Sequence, residues 1–104
     1  FAVEALEHQF NEMLPRFSKT LQRRPWEYFH DQFMCSFWFE KVGPKLLLET
    51  IGVDNVMFET DFPHPTSLYP GVQEHLVDVF AGYDKAVAKK VLQDNPVRMY
   101  NLPF

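Results

Sequence analysis

The chain has 104 residues, 46% of them hydrophobic, 16% aromatic and 23% charged, a globular composition sized for one domain at most. Its formal charge of -4 lacks the basic footprint of a nucleic-acid binder, so no nucleic-acid partner is expected. No stretch reaches the roughly 18 uninterrupted apolar residues of a membrane-spanning helix, and a single cysteine, Cys35, can neither close an internal disulfide nor build a zinc ribbon alone.

The sequence opens on Phe1 rather than Met, with none of the charged, apolar and small-residue succession of a secretory leader. It is read as a piece of a longer chain, a processed chain or an engineered one, and the expected location is cytoplasmic. Val3, Leu6, Phe10, Met13, Leu14 and Phe17 recur at steps of three and four, the stripe of an amphipathic helix over 2–22. Glu4, Glu7, Glu12 and Lys19 are left for solvent. Pro15 lacks an N–H and clashes with the turn before it, which predicts a kink or two helices. Pro25 marks the next boundary, with a short helix or turn from Trp26 to Asp31.

Residues 33–39 are short, aromatic and without a helical stripe, and predict a strand buried on both faces. Gly43 and Pro44 lead into a helix over 44–51, closed by Gly52. A second strand is predicted over 55–60, followed by a loop rich in proline, threonine and serine over 61–71. Val72, Leu76, Val79 and Phe80 form the apolar face of a helix over 72–81, which stops at Gly82. Asp84 is the expected N-cap of a final helix over 84–94, with Val87, Val91 and Leu92 inward. Asn95-Pro96 is expected to break that helix, leaving a terminal turn over 96–102.

Strands separated by short helices define an α/β chain with a parallel sheet. Two strands are too few to stand alone, because a parallel pair with helices on one side leaves two edges and an apolar face uncovered. A chain this short buries only about 60 to 65% of its unfolded surface. The pattern reads as part of a larger fold.

The segment Asn55-Val-Met-Phe-Glu-Thr-Asp61-Phe-Pro-His64-Pro sets a carboxylate at the C-terminal end of a buried strand, ahead of a proline-bracketed loop. Parallel α/β folds bind ligands at that edge. Asp61 is therefore a metal ligand or general base, or else an Asx-turn or helix-cap aspartate closing the strand. Alternation puts Met57, Glu59 and Asp61 on one strand face, so Glu59 is expected to point to the interior, where its carboxylate needs a cation or hydrogen-bond donors. His64 reads as a donor to Asp61 or a substrate contact, or as a loop histidine packed on Phe62 or capping a turn. Tyr69 could reach substrate from the same loop. His8, His30 and His75 read as surface or packing residues, Cys35 as a small buried apolar residue, and Trp38 as core. Arg23-Arg24 has no glycine-rich turn beside it and reads as solvated.

The run Val56-Met-Phe-Glu-Thr-Asp-Phe-Pro-His64 resembles the last barrel strand of the amidohydrolase-related metal-dependent hydrolases. The branch it resembles includes the aminocarboxymuconate semialdehyde decarboxylase-like enzymes and other decarboxylases of the same kind. Pro25-Trp-Glu-Tyr-Phe and Phe37-Trp-Phe-Glu40 are similar to that group's approach to its seventh strand. Leu46-Leu-Leu-Glu-Thr-Ile-Gly-Val-Asp-Asn55 is similar to its seventh helix, and Asp94-Asn-Pro-Val-Arg-Met-Tyr-Asn-Leu102 to its terminal helix. The resemblance covers nearly the whole chain, in order.

It implies the closing βα units, strands seven and eight with their helices, of a TIM (β/α)8 barrel of about 250 residues, here incomplete. It also implies one divalent metal, zinc first with manganese or another as the alternative, held by an early His-X-His pair, a histidine from a middle strand, often another nearby, and the aspartate of the eighth strand. Only that aspartate maps onto this sequence, as Asp61, in the role of metal ligand and proton acceptor; Glu59, His64 and Tyr69 would stand around it. The implied reaction is hydrolysis or non-oxidative decarboxylation of a small organic substrate, with the isolated chain inactive and binding zinc or manganese only weakly. Alternatives from other classes are a non-catalytic association module, its exposed barrel edges covered by a second copy or another chain, and one subunit of a split barrel enzyme.

Overall fold

The structure, a computed structural model, describes residues 1–17 and 20–103. These fall into two compact units, Phe1–Phe33 and Met34–Phe104.

The first unit is helical. Helix α1 (Ala2–Glu12) ends at Met13, and α2 (Leu14–Phe17) is a separate turn, so the stripe predicted over 2–22 becomes two helices, as the missing N–H of Pro15 requires. Residues 20–22 lie in a turn and bend rather than in that helix, and the expectation for Lys19 falls outside the described residues. Phe10 is buried and Val3 and Met13 half-buried, whereas Leu6 and Leu14 are exposed. Helix α3 (Pro25–Gln32) begins with proline in its first turn, where the absent N–H is no loss. The Glu27 carboxylate accepts from the Arg24 N–H at 2.8 Å. Helix α3 packs on α1 and carries a ladder of rings, Trp26 on Phe29 and Phe29 on Phe33 at 5.5 and 5.4 Å.

Glu7 departs from its assigned solvent face. Its carboxylate accepts from the Trp26 N–H at 2.8 Å and pairs with Arg24, and the Trp26 bond first, then Arg24, hold its carboxyl below the usual range against the opposing effect of burial. Arg23 pairs with Asp31, which raises its guanidinium pKa. The two arginines are thus engaged within the unit rather than simply solvated.

In the second unit, strands β1 (Cys35–Phe37) and β2 (Val56–Phe58) pair in parallel, Cys35 opposite Val56 and Phe37 opposite Phe58. Both are shorter than predicted. Strand β1 is buried on one face only: Phe37 is buried, Cys35 half-buried and Ser36 exposed. Beyond Phe37 the chain bends, and the Trp38 N–H donates locally to the Glu40 carboxylate at 2.9 Å. Burial raises the Cys35 thiol pKa, consistent with an inert, half-buried residue.

Between the strands lie a π-helical segment, Gly43–Leu47, helix α4 (Leu48–Ile51) and a short turn of tighter helix, Val53–Asn55. Gly52 stops α4 at φ 104°, a conformation that a Cβ would strain. Helix α5 (Val72–Phe80) follows the long loop. Helix α6 (Lys85–Lys89) runs through a π-helical segment, Lys90–Asp94, into helix α7 (Asn95–Tyr100). Asn95-Pro96 therefore does not break the helix as expected. The proline sits in the first turn of α7, and the wider π turn before it absorbs the missing donor. Leu92, assigned inward, is 38% exposed on the bulged segment.

The core of this unit is Phe37, Leu48, Val56, Val79, Phe80 and Val91, flanked by Ile51, Phe58, Leu76 and Val87. It gathers one strand face, α4, α5 and the π segment after α6, so apolar contact fixes the helices to one side of the strand pair.

Candidate functional site at the exit of the second strand

The ladder continues one residue past β2, where the Glu59 N–H donates to the Phe37 carbonyl at 2.9 Å. Glu59 itself is exposed, and its Oε1 accepts from the Ser36 hydroxyl at 2.7 Å. Val56 belongs to the core and Phe58 packs against it, so Met57 and Glu59 lie on the opposite face, as alternation predicts. That face holds Ser36 but no buried cation; the donor Glu59 requires is a serine.

Alternation does not extend to Asp61. Its φ is +58°, left-handed backbone that aspartate tolerates better than most side chains. The chain turns there rather than continuing as strand, so the shared face expected for Met57, Glu59 and Asp61 ends at Glu59. A close-knit loop follows. The Phe62 N–H donates to Thr60 Oγ1 at 3.3 Å. The His64 N–H donates to the Asp61 carbonyl, the Ser67 N–H to the His64 carbonyl and the Leu68 N–H to the Thr60 carbonyl, each at 2.9 Å. The Phe62–Pro63 and Tyr69–Pro70 peptides are cis.

This folding brings two of the sequence-derived candidates together. His64 Nδ1 lies 3.2 Å from Asp61 Oδ2 and 2.8 Å from Thr66 Oγ1. With Nδ1 carrying the proton, the ring donates to that pair of oxygens and leaves Nε2 as its acceptor. Asp61 is 40% and His64 62% exposed at the side chain, so the pair faces an open rim. Tyr69 does not join it: its ring meets Phe62 edge-on at 5.3 Å and is exposed. Glu59 is committed to Ser36. Thr66 and Ser36 were missed by sequence reasoning. A threonine two residues past a histidine in a turn-rich loop is a legible signal; Ser36 becomes visible only once the strands are registered.

Other candidates lie away from this loop. His75 is buried on α5 and stacks on Phe58 at 6.4 Å, a packing role. His30 meets the Trp26 ring at 4.7 Å. Trp38 is half-buried against Phe39. A cavity of about 520 Å³ is lined by Lys45, Glu49, Asp78 and Tyr83, and an apolar one of about 160 Å³ by Cys35, Phe37, Leu48 and Val56. Neither contains the Asp61–His64 pair, a carboxylate and an imidazole able to exchange protons and donate electron pairs at an accessible surface.

Among the described residues, no three His, Cys, Asp or Glu side chains gather as a metal site. Asp61 and His64 supply one carboxylate and one imidazole, short of the three protein ligands of a catalytic zinc. A metal does not fit on these residues alone.

The described residues thus form an α/β protein whose accessible acid–imidazole pair stands at the carboxyl edge of a parallel strand pair, the usual ligand-binding edge of such folds. Residues 13–102 match the amidohydrolase family, and the chain belongs to that family. Amidohydrolases generally use a divalent metal. No curated protein matches the chain. Among the described residues, no helix is long and apolar enough to cross a membrane.

Proposed function

We propose that this chain is the C-terminal part of a metal-dependent hydrolase or non-oxidative decarboxylase acting on a small organic substrate, with Asp61 as metal ligand and proton acceptor. The observation that carries the reading is the position of Asp61: just past the exit of β2, partly exposed, its Oδ2 3.2 Å from His64 Nδ1, within an amidohydrolase-family chain. The carboxylate can accept a proton from a reacting group, and the His64 ring beside it orients it. Glu59, which accepts from Ser36, and Tyr69, which packs on Phe62, would contact substrate beside the pair rather than the pair itself. A divalent metal, zinc or alternatively manganese, would supply Lewis-acid polarisation once ligands outside this chain complete its coordination. The remaining strands of a (β/α)8 barrel would carry those ligands, and the decarboxylase alternative follows the resemblance to the decarboxylase-like branch. A cytoplasmic location goes with this reading.

Two measurements test it. In the complete enzyme, Asp61→Asn should lower turnover by about 10²–10⁴-fold, the range of a lost acid–base group, with the fold intact; near-normal turnover removes Asp61 from the mechanism. On the isolated chain, calorimetry with zinc should show weak, substoichiometric binding and no catalysis. Tight one-to-one binding would refute the dependence on outside ligands.

A second reading, a non-catalytic association module or one subunit of a split barrel, is favoured by the strand pair itself. Two parallel strands with Ser36 and Glu59 exposed on the face opposite the core leave edges that another copy or chain would cover.

A further inference from the structure

Asn95 is the most completely buried polar side chain of the second unit, at 1% exposure. Its Nδ2 donates to the Val53 and Val56 carbonyls, both at 2.7 Å. One amide group thereby spans the turn that feeds β2 and the first residue of β2 itself. The same helical run reinforces the spot, where Arg98 donates to the Asp54 carbonyl and Lys90 pairs with the Asp54 carboxylate. Strand β2 has only three residues, so its ladder with β1 specifies register weakly. A one-residue slip would exchange its two faces and move Asp61 along the strand by about 3.3 Å.

We propose that Asn95 is a positioning residue for the Asp61 loop: its two-proton amide fixes where β2 begins and hence which residues reach the strand's exit. That the loop is the functional site rests on the reading above; the bracket at Val53 and Val56 does not. The chemistry is specific to an amide. Aspartate of the same shape would set an acceptor against two carbonyl oxygens, and serine could satisfy one of them only.

The test compares the wild-type 104-residue chain with Asn95→Ser and Asn95→Asp, by amide hydrogen exchange and ring-nitrogen NMR of His64. The Glu59 amide, which bonds the Phe37 carbonyl across the strands, should exchange about tenfold faster. The His64 signal should move toward that of a free imidazole, while the Val79 amide in α5 keeps its protection. Equal acceleration at Val79 and Glu59 would make Asn95 a general stabiliser and overturn the proposal, as would an unchanged His64 signal. If neither variant folds, native-state exchange of the wild type decides. Glu59 must then open together with the amides of α7, and opening with α5 instead overturns the proposal. Zinc titration bears on the ligand reading alone, so the two ideas can fail separately.

Discussion

Asp78 stands between two lysines, with Lys41 Nζ 2.8 Å from Oδ2 and Lys45 Nζ 2.6 Å from Oδ1. Hydrogen bonds from Lys41 first and Lys45 second take its carboxyl from 3.8 down to about 2. A folded-state pKa below the unfolded one stabilises the fold above the unfolded value. The contribution is therefore present above pH 3.8 and is lost as pH falls from there through about 2. Water and salt screen a carboxylate this exposed, so the stabilisation is small. Carboxyl NMR should give a midpoint near 2 for Asp78, and replacing both lysines by alanine should return it toward 3.8; an unmoved midpoint would detach the shift from the lysines. The sequence offers no hint of this trio, since Asp78 lies 33 residues from Lys45. Glu7 teaches the same lesson: helical spacing ranks faces, but its partner Arg24 lies 17 residues away. The Asp61–His64 contact was legible because three residues of a turn bring the two together, whatever the rest of the chain does.

Helices α6 and α7 show how local signals compete. Asp84 caps α6 as expected, its Oδ1 accepting from the Ala86 N–H at 2.7 Å. Asp84→Ala should cost about 1 kcal/mol in chemical denaturation, and a change below the error of the measurement would mean that tertiary packing alone holds that helix start. The proline at the other end misled because a missing N–H terminates only a regular helix. Here the π-helical segment Lys90–Asp94 precedes it, and the burial of Val91 and Asn95 outweighs the propensity against continuation. The strands failed in the opposite direction. Aromatic runs over 33–39 and 55–60 mark where strands form, but ladder length is set by a partner, and each strand finds hydrogen bonds on one side only.

The core of the second unit depends on a few side chains drawn from distant positions. Leu48 is fully buried, and Leu48→Ala should destabilise the chain by about 2–5 kcal/mol; a loss under 1 kcal/mol, measured by denaturant titration, would mean that the site collapses around the gap. The strand pair leaves edges and a polar face in contact with solvent. Size-exclusion chromatography at two concentrations discriminates the readings. A discrete dimer with a sharp thermal transition favours the association module, whereas a sticky, partly unfolded species favours a barrel portion that lacks its neighbours.

Taken alone, the sequence determined the α/β alternation, the helix starts at Pro25 and Asp84, the inward residues Val79 and Val91, and the strand-exit loop bearing Asp61 and His64, because each is written in contacts a few residues apart. Tertiary structure decided the rest. Whether Pro96 ended a helix, and which donors met Glu59, Glu7 and Asp78, depended on groups roughly 10 to 40 residues distant in sequence. Hydrogen bonds and ion pairs across such separations carry no periodicity, so only the folded chain reveals them.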